Sequence, residues 1–281
     1  MALDARNGNA PYHGHAVGAH VIDVILYDLD RAYCPPGLSA PVGGSEVELY
    51  QLADAFRRAG LKTELVLGRP DHGMGPCRVL IFWRQVEPVN WCTPSRRIVR
   101  ATDNIVDGYH QEDGLLTVCV SKWQAAKFST PTAVVPPMLG AHVDVVRTDR
   151  HEDHWIYAAA ANKGILETLQ AWRKNPRGPS LVVTTTGYDD PPAGLCEEYG
   201  AMWLGRMNPV RLACAIGMAR GMYYRNAAPE TFGVTTAIAV RLGLELDIEC
   251  VGHDACGLAE SRVPQDLSEA TIVKRWLEVL T

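Results

Sequence analysis

The sequence predicts an α/β protein made of two successive doubly wound halves that face a cleft. Short runs rich in Val, Ile and Leu alternate with amphipathic segments along most of the chain, as strands and helices do in such folds. Many of these runs are apolar almost throughout, which is typical of parallel strands covered on both faces. One polar stretch, residues 145–155, interrupts the alternation, so we divide the chain into residues 1–145 and 146–281.

The first half opens on the run HVIDVILYD, residues 20–28, which we interpret as a central strand. A helix over 43–60 follows, because apolar side chains recur at helical spacing and a glycine supplies the stop. Gly43 and Gly44 stand at the turn that leads into this helix. The other predicted elements of this half are strands over 62–67, 77–83, 96–102, 115–121 and 132–136 and a short helix over 121–129.

The second half repeats the alternation. Its predicted strands are residues 155–160, 180–186, 201–205, 221–226 and 246–252. Its predicted helices are residues 164–175, 208–219, one that begins near 233–236, and an amphipathic helix over 267–280. Open α/β sheets bind ligands beyond the carboxyl ends of their strands, so we expect the site in the cleft between the halves.

Composition narrows the class of protein. The chain has 281 residues, of which 47% are hydrophobic and 21% charged, and this is ordinary globular composition. A net charge of −5 argues against a generally basic surface, so we expect no nucleic-acid partner. We find neither the roughly 20 apolar residues of a membrane span nor a signal peptide in residues 1–20. The eight cysteines form no C-x-x-C pair, and we expect reduced thiols in a cytoplasmic protein.

The run APETFGVTTAIAVRLG, residues 228–243, places an acidic residue, an aromatic residue and a glycine before an apolar helix. The unpaired N–H groups and the dipole at a helix start favour an anion such as a diphosphate. Gly233 would allow close backbone approach, and Glu230 could accept hydrogen bonds from sugar hydroxyls. The alternative is purely structural: Thr235 and Thr236 cap the helix, and Glu230 complements its dipole.

The segment PETFG, residues 229–233, resembles the donor-site signature of retaining glycosyltransferases of the GT-B fold, in the group 1 or family 4-like class. Residues 43–66, GGSEVELYQLADAFRRAGLKTELV, resemble the Gly-Gly loop and first helix of that family. Residues 155–172, WIYAAAANKGILETLQAW, resemble the opening of its C-terminal domain, and YGAMWLGRM, residues 199–207, resembles a later strand segment. The resemblance covers most of the chain in the expected order.

This resemblance implies a GT-B-like fold of two Rossmann-like domains, an acceptor-side domain followed by a donor domain. It implies transfer of a sugar from a nucleotide-diphospho-sugar to a glycan or other hydroxyl acceptor, with retention of configuration and with no metal or further cofactor. Lys163 would stabilise the leaving diphosphate, and Glu230 would hold the transferred sugar. The donor-binding residues that we expect are Gly43, Gly44, Lys163, Tyr188, Glu230, Thr231, Phe232, Gly233, Val234 and Thr235.

Some positions leave alternatives open. Asp103 and Tyr188 each follow a predicted strand, and could contact the acceptor and the donor or serve only in their loops. Ile238 stands where the family carries a second glutamate that holds the ribose, and isoleucine accepts no hydrogen bond. Alanines occupy positions 158–161, where an arginine is usual. A catalytically impaired relative that binds a glycan or nucleotide is therefore the second hypothesis, a sugar-nucleotide epimerase is a third, and homo-oligomerisation stays open.

Overall fold

The computed structural model describes residues 21–29, 43–102, 115–130, 132–146, 153–185, 189–253 and 256–281. Within these ranges the chain forms two sheets, and every strand pairing in them is parallel. This confirms the predicted α/β class of two parallel, Rossmann-like sheets. Asp103 and Tyr188 lie outside the described residues.

The first sheet is built from six strands. They are β1 (Ile22–Asp28), β2 (Thr63–Leu67), β3 (Gly75–Trp83), β4 (Cys92–Ala101), β5 (Leu115–Cys119) and β6 (Thr132–Val134). Their order is β2-β1-β3-β4-β5-β6, so the chain reverses its direction of winding between β1 and β3. The last five residues of β1 and of β3 are all buried, because both strands lie inside the sheet and are covered on both faces.

Three helices belong to this half: α1 (Gly44–Arg58), α2 (Lys122–Ala125) and α3 (Ala141–Asp144). Leu49, Leu52 and Phe56 form the buried stripe of α1, as the helical spacing predicts. The short helix α3 has no counterpart in the elements predicted from the sequence. It begins at Gly140, where a side chain would collide with Gln51.

The second sheet has five strands: β7 (His154–Ala158), β8 (Ser180–Thr185), β9 (Met202–Arg206), β10 (Gly221–Asn226) and β11 (Glu245–Cys250). Their order is β11-β10-β7-β8-β9, so the winding reverses between β7 and β10. The helices are α4 (Ile165–Lys174), α5 (Leu195–Glu198), α6 (Pro209–Met218), α7 (Val234–Arg241), α8 (Leu258–Ser261) and α9 (Glu269–Leu280). The strands of the two sheets fall on either side of residues 145–146, but the two-domain division itself stays a prediction.

The two halves are joined by packing and by hydrogen bonds. α9, which ends the chain, returns to the first half, where Trp276 is fully buried and meets the ring of Phe56 edge to face at 6.0 Å. The Arg100 guanidinium lies 5.5 Å from the centre of the same indole ring. On α8, the Glu260 carboxylate accepts the backbone N–H groups of Lys122 (3.1 Å) and Trp123 (2.9 Å) at the start of α2. One continuous apolar core therefore crosses from one half to the other.

Two further expectations can be compared with the structure. None of the helices that the structure describes is long and apolar enough to cross a bilayer. The seven cysteines in the described ranges are free thiols, and five of them are buried. Cys34 lies outside these ranges.

Candidate functional site

A cavity of about 190 Å³ lies between the two sheets, at the carboxyl ends of their strands. In the second half it is bordered by the segments that follow β7 and β10, the two strands between which the winding reverses. Such switch points are where open α/β sheets bind ligands. The first half contributes the start of α1 and the segments after β4 and β5. The predicted cleft is thus present, and the candidate side chains come from several distant parts of the sequence.

Lys163 and Glu230 form an ion pair at this cavity. Lys163 Nζ lies 2.7 Å from Glu230 Oε1, and the two side chains are 38% and 6% exposed. Glu230 is therefore nearly buried, whereas the ammonium group of Lys163 reaches solvent in the cavity. A buried carboxylate needs a cation or hydrogen-bond donors, and Lys163 meets this need.

The position of Lys163 follows from the backbone around it. Lys163 ends a 3-10 turn, Ala161–Lys163, and Gly164 then adopts φ 111° in the left-handed region. A Cβ at Gly164 would lie 2.0 Å from the carbonyl oxygen of Arg225, so only glycine allows this turn to lie against the end of β10. The N–H of Ala227 donates to the Lys163 carbonyl at 3.2 Å. The segment that carries Lys163 is thereby tied to the segment that leads to Glu230.

Glu230 is held by a buried polar chain behind it. The Tyr224 hydroxyl lies 3.4 Å from Glu230 Oε1, and it accepts a hydrogen bond from Asn226 Nδ2 at 2.5 Å. The Tyr157 ring packs edge to face on Tyr224 at 5.5 Å. Burial, reinforced by the Glu230 charge, raises the pKa of Tyr224 well above its usual value. The phenol therefore keeps its proton and remains a hydrogen-bond donor to the carboxylate.

The first turns of α1 and α7 meet at the cavity. Gly44 and Val234 are the first residues of these helices, and a Cβ at Gly44 would lie 3.4 Å from Cγ2 of Val234. Each helix start carries unpaired N–H groups and partial positive charge. Lys163, paired with Glu230, lies on the same cavity, so cationic and N–H groups are close together here. Thr231, in the second half, links the two halves here: its hydroxyl donates a hydrogen bond to the Thr102 carbonyl of the first half at 2.8 Å.

The turn before α1 is fixed by a buried ionic cluster. Arg84 Nη2 binds Asp28 at 2.6 Å, at the end of β1, and Arg84 Nη1 binds Glu46 at 2.7 Å, in the first turn of α1. Asp28 is 2% and Glu46 0% exposed, so the one guanidinium is shared between two buried carboxylates. This cluster sets the position of the Gly43–Gly44 turn relative to the end of the sheet.

The first-half wall of the cavity carries several polar side chains among apolar ones. Glu48 pairs with the fully buried Arg100, and burial raises the pKa of the Glu48 carboxyl against the opposing effect of Arg100. Gln51 Oε1 and Thr102 Oγ1 are buried and have no hydrogen-bond partner among the residues that the structure describes. Burial also lowers the pKa of His142, with Asp144 opposing the shift. This wall therefore presents groups that can bind hydroxyl groups of a ligand.

Seven of the predicted donor-site residues line the cavity. They are Gly44, Lys163, Glu230, Thr231, Phe232, Val234 and Thr235. Gly43 and Gly233 do not line it but precede α1 and α7 as their N-caps. The departing position Ile238 also faces the cavity and is 4% exposed.

Gly233 has a packing role that the sequence did not indicate. A Cβ there would lie 2.5 Å from Leu258 Cδ1 and 3.1 Å from Ser261 Oγ, so this glycine makes room for α8, and its approach to a ligand stays a prediction. The structural alternative for the threonines is wrong in its detail. α7 has no side-chain cap, and Thr236 is buried with its hydroxyl 3.9 Å from Met222 Sδ.

Sequence reasoning missed several residues of the site. Gly257 packs so closely on the Glu230 segment that a Cβ would lie 1.7 Å from the Thr231 carbonyl oxygen. Glu48 was detectable in principle, because it is an acidic residue on the buried stripe of a helix. His142 and Gln51 carry no such signal, since their place at the cavity depends on how α3 packs against α1.

No family model and no curated protein matches the chain. The fold does match solved structures. AviGT4, a glycosyltransferase involved in avilamycin A biosynthesis, matches at TM-score 0.61 and 13% identity, over 92% of this chain and 96% of that one. A glycosyltransferase from Rickettsia africae ESF-5 matches at TM-score 0.58 and 11% identity, over 92% and 97%.

Alr3699/HepE of Anabaena, solved in complex with UDP, matches at TM-score 0.54 and 8% identity, over 92% of this chain and 99% of that one. Identities this low establish the likeness of the fold and not of the chemistry. The chain therefore has the two-sheet fold of these glycosyltransferases along nearly its whole length.

Proposed function

We propose that this protein is a glycosyltransferase that moves a sugar from a nucleotide-diphospho-sugar to a hydroxyl acceptor, with retention of configuration. The observation that carries the proposal is the Lys163–Glu230 pair at the place where two helix starts meet the switch point of the second sheet. Cationic and N–H groups fit a diphosphate, and the adjoining carboxylate fits sugar hydroxyls.

The proposed chemistry assigns one task to each group. The donor diphosphate lies between Lys163 and the first turn of α7, with Gly44 on the opposite wall. Negative charge grows on the diphosphate as the anomeric bond breaks, and these prearranged groups stabilise it. Glu230 exchanges its contact with Lys163 for sugar hydroxyls, while the Tyr224 hydroxyl keeps the carboxylate oriented. No step in this scheme requires a metal.

The nucleoside and the acceptor are assigned to different walls. Ile238, Leu212 and Pro209 form an apolar surface beyond α7, which suits a base or the carbon face of a ribose. UDP is the first nucleotide to test, since the Anabaena protein of the same fold was solved with it. The unpaired Gln51 Oε1 and Thr102 Oγ1 on the first-half wall suit a hydroxyl acceptor.

The cavity has a volume of about 190 Å³. This is smaller than the roughly 300–1,000 Å³ of typical ligand pockets, because the halves lie close together. We therefore propose that the halves move apart to admit the donor and close again around it. Closure would exclude water from the activated sugar.

Calorimetric titration with UDP, GDP and ADP, together with transfer assays using the matching sugar donors, tests this function. One nucleotide is expected to bind, and its sugar donor to be consumed. Lys163→Ala should weaken nucleotide binding roughly 10–150-fold, the equivalent of a lost charge-assisted hydrogen bond of about 1.5–3 kcal/mol. Lys174→Ala, an exposed lysine at the end of α4, is the matched control and should leave affinity unchanged. Failure of all three nucleotides to bind, with no donor consumed, would overturn the proposal.

The second candidate is a binding module that holds a nucleotide or glycan without turnover. Ile238 favours it, because an apolar side chain at the cavity accepts no hydrogen bond from a ribose. The same experiment separates the two functions. Tight nucleotide binding without release of the nucleotide from any sugar donor would select the binding module.

A further inference from the structure

Three metal-ligating side chains come together behind the candidate site. Cys250 is the last residue of β11, His253 lies in the turn that follows, and Cys256 begins the turn into α8. The two Sγ atoms and a ring nitrogen of His253 all lie within 4.8 Å of one another. Cys256 is 2% exposed, and the other two side chains are half-buried. In sequence the three form a C-x-x-H-x-x-C pattern.

We propose that Cys250, His253 and Cys256 bind a divalent cation of borderline-soft character, with Zn²⁺ as the natural occupant. Two thiolates and one imidazole are a ligand set that zinc prefers. Tetrahedral bonds of about 2.3 Å to sulfur place two sulfur atoms about 3.8 Å apart. The observed spacing needs only a small contraction to reach this geometry, and a water molecule completes the fourth position.

The surroundings of His253 match those of a metal ligand. Its Nε2 lies 2.7 Å from Asn226 Oδ1 and 3.1 Å from the Asn226 carbonyl oxygen. A ligating histidine usually donates its second ring N–H to such an oxygen, which fixes the tautomer and the ring plane. Asn226 is fully buried at the end of β10, so this contact is a rigid one. We assign Nδ1 as the ligating nitrogen.

A cation here would brace the back of the cavity. It would tie the end of β11 to the start of α8, where Gly257 lies against the carbonyl of Thr231. The same Asn226 donates to the Tyr224 hydroxyl, which in turn lies beside Glu230. The metal site and the Lys163–Glu230 pair are thus the two ends of one chain of polar contacts. Binding of the cation does not depend on the proposed function.

Titration of the reduced, chelator-treated protein with Co²⁺ tests the proposal. One equivalent is expected to bind and to produce thiolate-to-cobalt charge-transfer absorption together with the visible bands of a tetrahedral site, and Zn²⁺ should displace it. Cys250→Ser and His253→Gln should each abolish this spectrum. Asn226→Ala should weaken binding roughly 10–100-fold as a loss of support to the ligand. Cys214→Ser, which changes an exposed thiol, should leave the titration unchanged.

Three results would each overturn the proposal. The first is the absence of stoichiometric Co²⁺ binding to wild-type protein, and the second is an undiminished spectrum in both ligand variants. The third is a Cys250–Cys256 disulfide found by mass spectrometry in protein isolated without reductant, combined with no metal uptake after reduction. None of these results involves a nucleotide, so each is independent of the outcome of the glycosyltransferase assays.

Discussion

Replacing Lys163 by Ala should destabilise the protein more than replacing Glu230 by Gln, because the two partners are unequally buried. In Glu230→Gln the released ammonium group is 38% exposed and can be hydrated, so screening limits the loss to about 0–1 kcal/mol. In Lys163→Ala the carboxylate is 6% exposed, and its one remaining partner among the described residues is the Tyr224 hydroxyl at 3.4 Å. A buried charge left without its partner costs about 3–5 kcal/mol, and partial access to the cavity should reduce this to about 2–3 kcal/mol.

Urea unfolding at neutral pH measures both losses as differences in the free energy of unfolding. The expected gap between the two variants is about 2 kcal/mol, well above the ±0.5 kcal/mol typical of neutral surface changes. Lys174→Ala gives the baseline for removing an exposed lysine from the same half of the chain. If Glu230→Gln cost as much as Lys163→Ala, or more, the reasoning from unequal burial would be refuted.

Three further predictions concern residues on the cavity or next to it. Burial lowers the folded pKa of His142, so its stabilising contribution is complete above an unfolded pKa of about 6.5 and is lost as pH falls through the folded value. Urea unfolding at pH 7.5 and 5.5 should therefore show that His142→Gln loses less free energy of unfolding between the two pH values than wild-type protein does. An equal loss would contradict this. Gly164→Ala should lower the free energy of unfolding by at least about 2 kcal/mol more than Gly60→Ala does. Both glycines have positive φ, but only a Cβ at Gly164 would meet backbone, at 2.0 Å from the Arg225 carbonyl oxygen. Thermal unfolding compares the two variants, and equal losses of stability would count against the close contact. Ile238→Glu should bind UDP about tenfold more tightly, because it adds a charged hydrogen-bond acceptor for the ribose. It should also lower the melting temperature, because the added charge is at a buried position. Unchanged or weaker affinity in calorimetry would argue against a ribose at this wall.

The regular elements of the fold could be predicted because their signals are local. β10 occupies residues 221–226 as predicted, and the other strands agree within a few residues at each end. Continuous apolar runs identify covered parallel strands without any knowledge of their partners. The site was partly predictable for the same reason: Lys163 and Glu230 lie in the segments that follow β7 and β10, and parallel strands bring their carboxyl ends to one edge.

The rest depends on contacts between residues that are distant in sequence. Glu48 and Arg100 are 52 positions apart, and nothing local indicates that they form a buried ion pair. The apolar stripe of α9 predicts a helix but does not show that Trp276 packs on α1 of the opposite half. The sequence suggests close backbone approach at Gly233 but not its packing against α8, which the chain reaches 25 residues later.

The contact between Glu260 and the start of α2 affects how ligands could enter and leave. A carboxylate from one half accepts two peptide N–H groups of the other half, and among substitutions in α2 only proline would remove these main-chain donors. Any hinge motion that widens the cavity must either rotate about these two hydrogen bonds or break them. Because the partners of the carboxylate are neutral amides and not a solvated cation, added salt should weaken these hydrogen bonds little, and the resting molecule should remain shut across a broad range of ionic strength.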